Sequence, residues 1–121
     1  GGVGITGDLH VGGDITAFSS SDRRLKNNIK EIENPLEKLK KINGYKFTWN
    51  KNNSNNSGED IGVIAQEIEN ILPEITTERK NGYKAVRYEK LTPFIISCMK
   101  EQQKIIEKQQ EQINILIKKN K

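Results

Sequence analysis

The first twenty residues alternate between apolar and polar side chains, with the apolar members at odd positions. These apolar members are Val3, Ile5, Leu9, Val11, Ile15 and Ala17. A period of two is typical of a β-strand, in which successive side chains point to opposite faces. The echo between GITGDL and GGDIT indicates a repeated unit of a narrow, glycine-rich β-stalk. A flexible glycine-rich leader is the alternative on these residues alone.

The composition of the chain changes at residues 19–22. From there to about residue 42 the sequence is charged and compatible with a helix. Proline is favoured at the first helical position, so Asn34-Pro35 predicts a helix start, and Gly44 predicts its end. Aromatic residues alternate with polar ones over 45–49, which predicts a half-buried strand. A polar, Asn-rich loop over 51–60 follows.

The apolar run that begins at Ile61 predicts a short extended segment leading into a helix that Pro73 closes. Four residues share the apolar face of this helix: Ile64, Ile68, Ile71 and Leu72. Residues 75–88 are predicted to form a β-hairpin, because Asn81-Gly82 is a strong turn signal between two strand-like runs.

A single long helix is predicted from about Leu91 to Ile117, since Pro93 is acceptable in a first helical turn. Its apolar residues recur with the heptad spacing of a coiled coil. The predicted trimer seam consists of Ile95, Met99, Gln102, Ile106, Gln109, Ile113 and Leu116. The two glutamines weaken the seam but can hydrogen-bond to one another around its axis. The alternative is an ordinary amphipathic helix packed on its own domain, although nothing else covers the last twenty residues.

These elements together predict an α+β chain in three parts. Residues 1–20 are the end of a parent β-stalk, residues 21–90 a small mixed globular domain, and residues 91–121 a C-terminal helix that forms a trimeric coiled coil. Only 33% of the 121 residues are hydrophobic, so the core is small. We therefore expect association with further copies to add stability.

Charge and composition exclude several classes of function. The net charge is +4, but basic and acidic residues are interleaved, which indicates a solvated surface and no nucleic-acid partner. One cysteine and one histidine leave neither a disulfide framework nor a metal cluster. The glycines of GGVGITG lack the residues of a phosphate-binding loop. No apolar run is long enough for a membrane span, and we expect no cofactor and no small-molecule substrate.

Ser21 and Lys26, within SDRRLKNNIK, are the candidate chemical pair. A serine hydroxyl is a poor nucleophile until a base removes its proton. A lysine is that base only when it is neutral, which desolvation or nearby cations such as Arg23 and Arg24 favour. The five-residue spacing lets the two side chains meet across a turn. A helix cap followed by a solvated face explains the same residues without catalysis.

The run SDRRLKNNIK, followed by GYKFTWN and then GVIAQEIENILPE, resembles the S74 peptidase family over about residues 19 to 98. Members occur at the C-terminus of phage endosialidases, tail fibres or spikes and neck appendages, and a related domain occurs in myelin regulatory factor. The resemblance implies an intramolecular chaperone that forms a homotrimer, contacts its own upstream β-stalk and promotes the folding of that stalk. The domain then releases itself by autoproteolysis, in a virion tail component assembled in the host cytoplasm.

Carried onto this sequence, the resemblance implies a serine protease with a Ser-Lys dyad, Ser21 as nucleophile and Lys26 as general base. The cut falls at Ser21, most simply between Ser20 and Ser21. Further residues of the matched motifs are candidates to orient the dyad: Asp22, Asn27, Asn28 and Gln66. For Glu67 a structural role is favoured.

Two other functions fit the sequence less well. The first is a non-cleaving, purely structural trimeric tip in which the serine and the lysine are inert. The second is a nucleic-acid-binding coiled-coil protein, whose DNA contacts would lie elsewhere in the parent. The aromatic residues fall mainly in predicted strands and form no stacking platform, so the second ranks last.

Overall fold

The computed structural model describes residues 1–121, which divide into two units, residues 1–30 and 31–121. The first unit contains one regular element, a 3₁₀ turn at Arg23–Leu25. Residues 1–20 form neither helix nor strand, and all of them are exposed. A strand needs a hydrogen-bonded partner, and the single chain supplies none here. The β-stalk thus stays a prediction about assembled chains.

The second unit begins with a helix that is shorter than the sequence predicts. Helix α1 spans Pro35–Leu39, with Pro35 in its first turn as expected. The preceding residue, Asn34, has a left-handed backbone at φ 47° and makes no side-chain cap. The chain leaves the helix at Lys40, before the predicted end at Gly44. Its apolar residues nevertheless pack against the core, including Leu36 and Leu39.

The predicted aromatic strand is confirmed as β1, Tyr45–Thr48, which pairs antiparallel with β2, Glu59–Gly62. Tyr45 lies opposite Gly62, and the connecting loop is closed by a hydrogen bond from Trp49 N to Gly58 O of 3.0 Å. The predicted loop is two residues too long, because β2 begins at Glu59.

Helix α2, Ala65–Ile71, follows β2 after two residues, and a 3₁₀ turn at Pro73–Ile75 closes it as predicted. The predicted hairpin is also confirmed: β3, Thr76–Glu78, pairs antiparallel with β4, Lys84–Val86. The two strands are joined by the predicted turn. In that turn only Gly82 has a positive φ, of 87°, so the glycine alone needs its conformational freedom.

Helix α3 extends over Leu91–Lys119, which confirms the predicted long helix. Only its first turns take part in the core, which consists of Ile68, Leu72, Ile75, Phe94 and Cys98. From residue 102 onwards every residue of α3 is exposed. None of the helices combines the length and the apolar character needed to cross a bilayer.

Candidate functional site

The 3₁₀ turn at Arg23–Leu25 brings the candidate pair together. Nζ of Lys26 donates a hydrogen bond of 2.9 Å to Oγ of Ser21. The backbone of the turn is closed by Leu25 N to Asp22 O at 3.0 Å and Lys26 N to Arg23 O at 3.1 Å. Ser21 and Lys26 are both exposed. The two groups that a Ser-Lys dyad needs are therefore within direct hydrogen-bonding distance across one turn.

Asp22 holds the shape of this turn. Its carboxylate accepts hydrogen bonds from the backbone N of Arg24 at 2.8 Å and from the Arg24 guanidinium at 2.8 and 3.1 Å. The side-chain hydrogen bond from Arg24, followed by the backbone one, lowers the pKa of Asp22 below its ordinary value. The carboxylate contacts Arg24 and makes no hydrogen bond to Ser21 or Lys26. Asp22 therefore caps the turn between Ser21 and Lys26, and its role in orienting the pair stays a prediction.

The two asparagines that follow the pair differ from one another. Asn28 has a left-handed backbone with φ of 53°, a conformation that asparagine adopts more readily than most residues. Asn27 makes no side-chain hydrogen bond. Gln66 is an exposed residue of α2 and belongs to the second unit. Roles of these three residues toward the dyad stay predictions.

Glu67 connects α2 to β1, in agreement with the structural role favoured for it. Its Oε2 accepts a hydrogen bond of 2.7 Å from the hydroxyl of Tyr45. This bond is the largest cause of a raised pKa of Tyr45, and desolvation of the phenol adds to it. The other carboxylate oxygen, Oε1, is buried without a partner.

Tyr88 is a residue of this region that the sequence reasoning missed. Its hydroxyl accepts a hydrogen bond of 3.1 Å from Val63 N, at the junction between β2 and α2. A Cβ added to Gly62 would lie 2.6 Å from that hydroxyl and 3.4 Å from the ring of Phe47. Gly62, the glycine of GVIAQE, is thus required because a larger residue would lie too close to Tyr88 and Phe47. A glycine inside a strand pattern is the available signal for such a contact, but it does not name the partner.

The predicted seam lies on a different face of α3 from the one that packs on the domain. Phe94 and Cys98 are 1% and 3% exposed, and the Cys98 thiol contacts the carbonyl of Pro35. The apolar residues of the seam are 49–63% exposed: Ile95, Met99, Ile106, Ile113 and Leu116. Gln102 and Gln109 are exposed as well. The fold therefore leaves this apolar stripe uncovered in the single chain.

No group of three or more His, Cys, Asp or Glu side chains is arranged to hold a metal ion. Ser21 and Lys26 lie within hydrogen-bonding distance of one another and stay the candidate nucleophile and base.

Comparison with known proteins relates part of the sequence to a family. Residues 21–77 match the Peptidase_S74 family, described as a chaperone of endosialidase. The matched segment begins at Ser21 and includes Lys26 and Gln66.

Long tail fibre proteins called Gp37 are similar to more than half of the chain. The one from Salmonella phage S16 is 40% identical over 72 residues, which are 56% of this chain and 10% of that protein. The one from Enterobacteria phage K3 is 35% identical over 80 residues, 63% of this chain and 6% of that protein. The one from Escherichia phage AR1 is 35% identical over 74 residues, 58% of this chain and 7% of that protein. The chain thus spans no more than about a tenth of the length of these relatives. By its sequence match, the segment 21–77 belongs to the Peptidase_S74 family, the chaperone of endosialidase.

Proposed function

We propose that this chain is an intramolecular chaperone of a phage tail-fibre protein, which trimerises its parent and then cuts itself off at Ser21. The main support is the 2.9 Å contact between Lys26 Nζ and Ser21 Oγ at the first residue of the family match. The similarity to long tail fibre proteins supports a virion tail component as the parent. In this proposal the parent assembles in the host cytoplasm, and the cleaved domain is released.

The proposed cleavage is a two-step acyl transfer. Lys26 Nζ takes the hydroxyl proton while Ser21 Oγ attacks the carbonyl carbon of Ser20. The bond between that carbon and the nitrogen of Ser21 breaks, the nitrogen receives the proton, and the Ser20 carbonyl remains joined to Ser21 Oγ as an ester. Water then hydrolyses the ester, which leaves a carboxylate on Ser20 and restores the hydroxyl of Ser21.

The reaction requires Lys26 as a free amine, because an ammonium group has no lone pair to accept the hydroxyl proton. In the single chain the Lys26 side chain is exposed to water, and its Nζ is the donor to Ser21. Neighbouring chains that exclude water from the pair would favour the uncharged amine. Trimer assembly would in this way switch on the cut.

The uncovered stripe on α3 supports the homotrimer. Its apolar residues are about half exposed or more, while the neighbouring face of the helix already packs on the domain. Residues 102–121 are all exposed in the single chain, so further copies of α3 are the natural cover. A trimer at this end raises the local concentration of three parent strands and sets their register.

The chaperone role follows from the cost of threading a β-stalk. Pairing of distant strands loses loop-closure entropy before any contact repays it, so unassisted folding is slow. The C-terminal trimer removes part of that cost. Cutting afterwards removes the route back, so the folded stalk is kinetically trapped.

Intact mass of the purified chain tests the dyad. The wild type should yield a fragment of residues 21–121, and Ser21→Ala and Lys26→Ala should keep their full mass. Ser19→Ala and Lys30→Ala are matched controls, since they remove the same groups nearby and should still be cut. Cleavage of Ser21→Ala or Lys26→Ala at the wild-type rate would refute the dyad.

The same samples separate self-cleavage from the non-cleaving structural tip. If the wild type and both dyad variants keep full mass after long incubation as trimers, the domain is a permanent cap. A seam variant, Ile106→Asp, tests the coupling between assembly and cutting. A monomeric Ile106→Asp protein that cuts as fast as the trimer would show that assembly does not control the reaction.

A further inference from the structure

Two Asn-Gly pairs occur in the second unit, Asn43-Gly44 and Asn81-Gly82, and they differ in the hydrogen bonds that restrain them. Asn-Gly is the dipeptide most prone to spontaneous deamidation, because glycine has no Cβ to hinder attack by its own backbone nitrogen on the asparagine side chain. The attack requires a free glycine N–H and a mobile asparagine side chain. Hydrogen bonds to either group therefore slow it.

Asn81-Gly82 is held at both reacting groups. The attacking nitrogen, Gly82 N, donates a hydrogen bond of 2.8 Å to Arg79 O. The side chain that would be attacked accepts a hydrogen bond of 3.0 Å at Oδ1 from Tyr83 N. The turn itself is fixed by the paired strands β3 and β4. Both hydrogen bonds must break before Gly82 N reaches the Asn81 side chain.

Asn43-Gly44 has no restraint on the glycine nitrogen and only one long hydrogen bond on the asparagine side chain. Both residues are exposed and lie between the end of α1 and the start of β1. Gly44 N donates no hydrogen bond within the chain, and no atom lies within 4 Å of the position that a Cβ on Gly44 would take. The Asn43 side chain makes one long contact, in which Nδ2 donates to the hydroxyl of Tyr45 at 3.3 Å.

We propose that Asn43 is a site of spontaneous deamidation in the folded protein, and that the hairpin turn protects Asn81. Gly44 N, having lost its proton to base, forms a bond to Cγ of Asn43. The bond from Cγ to Nδ2 breaks, and the amide nitrogen leaves as ammonia with a proton from water. The resulting succinimide is opened by water at either carbonyl, to leave aspartate or isoaspartate at position 43.

The modification acts on the contact that ties β1 to α2. The hydroxyl of Tyr45 has one proton, which it already donates to Glu67 Oε2 at 2.7 Å. The amide of Asn43 is a donor to the same hydroxyl, whereas a carboxylate at position 43 is only an acceptor. A carboxylate at position 43 would face the phenol oxygen of Tyr45 without a proton between them, and it would add a second negative charge beside Glu67. Deamidation at position 43 therefore weakens this connection as the protein ages.

The direct test is incubation of the folded 121-residue chain at mildly alkaline pH, with peptide mapping of aspartate and isoaspartate. We expect Asn43 to react on the order of tenfold faster than Asn81, because two hydrogen bonds must break at the latter. In denaturant both pairs lose these restraints and should react at similar rates. Gly44→Ala, for which the structure has open space, should suppress the reaction at position 43.

Two outcomes would overturn the proposal: Asn81 reacting as fast as Asn43 in the folded chain, or no reaction at Asn43 where the denatured chain reacts. The consequence is tested with the product-like variants Asn43→Asp and Asn81→Asp. The first should lower the melting temperature. The second should not, since an aspartate still accepts the hydrogen bond from Tyr83 N. Equal melting temperatures for Asn43→Asp and the wild type would refute the effect on the Tyr45 contact.

Discussion

Gly62→Ala is expected to destabilise the domain, because the glycine lies against the hydroxyl of Tyr88. The added Cβ would be 2.6 Å from that oxygen, well inside the usual separation of about 3.5 Å between nonbonded heavy atoms. The Phe47 ring, at 3.4 Å on the other side, limits escape in that direction. Tyr88 is 53% exposed and can swing outward. Its hydrogen bond of 3.1 Å from Val63 N is then lost.

The size of the effect follows from three contributions. Loss of the hydrogen bond costs about 0.5–1.5 kcal/mol, and the forced repacking costs about 1–3 kcal/mol. Replacing glycine by alanine restricts the unfolded chain, which offsets about 0.4–1 kcal/mol of this. The net loss in the free energy of unfolding is therefore about 0.5–4 kcal/mol.

Urea unfolding of the single and double variants measures the change in the free energy of unfolding. Tyr88→Phe alone loses only the hydrogen bond, so we expect a cost of about 1 kcal/mol. The double variant Gly62→Ala/Tyr88→Phe has room for the new methyl group, so its cost should fall below the sum of the single costs by about 1 kcal/mol. Gly44→Ala, where nothing lies within 4 Å, is the control and should change stability by less than about 0.5 kcal/mol. Additive costs, or a neutral Gly62→Ala, would refute the steric explanation.

Three further predictions address the core, the turn and the link between β1 and α2. Phe94→Ala should lower the free energy of unfolding, measured by thermal unfolding, by about 3–5 kcal/mol, because Phe94 is 1% exposed in the centre of the core. A loss below about 1 kcal/mol would mean that the core is elsewhere. Asp22→Asn keeps the hydrogen bond from the backbone N of Arg24, whereas Asp22→Ala loses it. Self-cleavage, monitored by intact mass, should therefore slow more in Asp22→Ala. The reverse order would contradict a capping role for Asp22. The raised pKa of Tyr45 means that its protonated hydroxyl stabilises the fold below the ordinary tyrosine pKa, and that this contribution is lost as the pH rises through the raised value. Circular dichroism should show an alkaline loss of stability in the wild type that is absent in Tyr45→Phe, and an identical alkaline limb in both would exclude the contact with Glu67 as its cause.

The elements with strong local signals were predictable from the sequence. The turn residues at Asn81-Gly82 predict the β3–β4 hairpin, and the structure confirms it. The aromatic alternation predicts β1, and the long apolar periodicity predicts α3. In each case the conformation follows from neighbours in the chain, such as a residue that tolerates positive φ or a repeat that matches one period.

The length of α1 shows where this reasoning fails. The sequence predicts a helix from Pro35 to about residue 43, but the structure ends it at Leu39. Helix propensity is a weak preference that packing overrides. Leu36 and Ile42 both contact the core, and the chain reaches it with a turn after Lys40 in place of a longer helix.

The candidate dyad was predictable as a pair of residue types, because five residues is a span that one turn closes. The sequence does not show what shapes that turn. Asp22 binds both the backbone and the side chain of Arg24, and this cap brings Lys26 Nζ to 2.9 Å from Ser21 Oγ. Such a cap depends on side-chain rotamers, which residue spacing does not specify.

The sequence alone determined the order of the elements, the long helix and its apolar stripe, and it identified Ser21 and Lys26 as the candidate pair. These features depend on residues close in the chain. Only the tertiary structure decided which face of α3 the domain covers, and that Tyr88 meets Gly62 across 26 residues. Contacts between distant segments depend on shape complementarity in three dimensions, which periodicity along the chain does not encode. The predicted seam depends on both. The heptad spacing of its apolar residues is read from the sequence, whereas their exposure is decided by the tertiary structure.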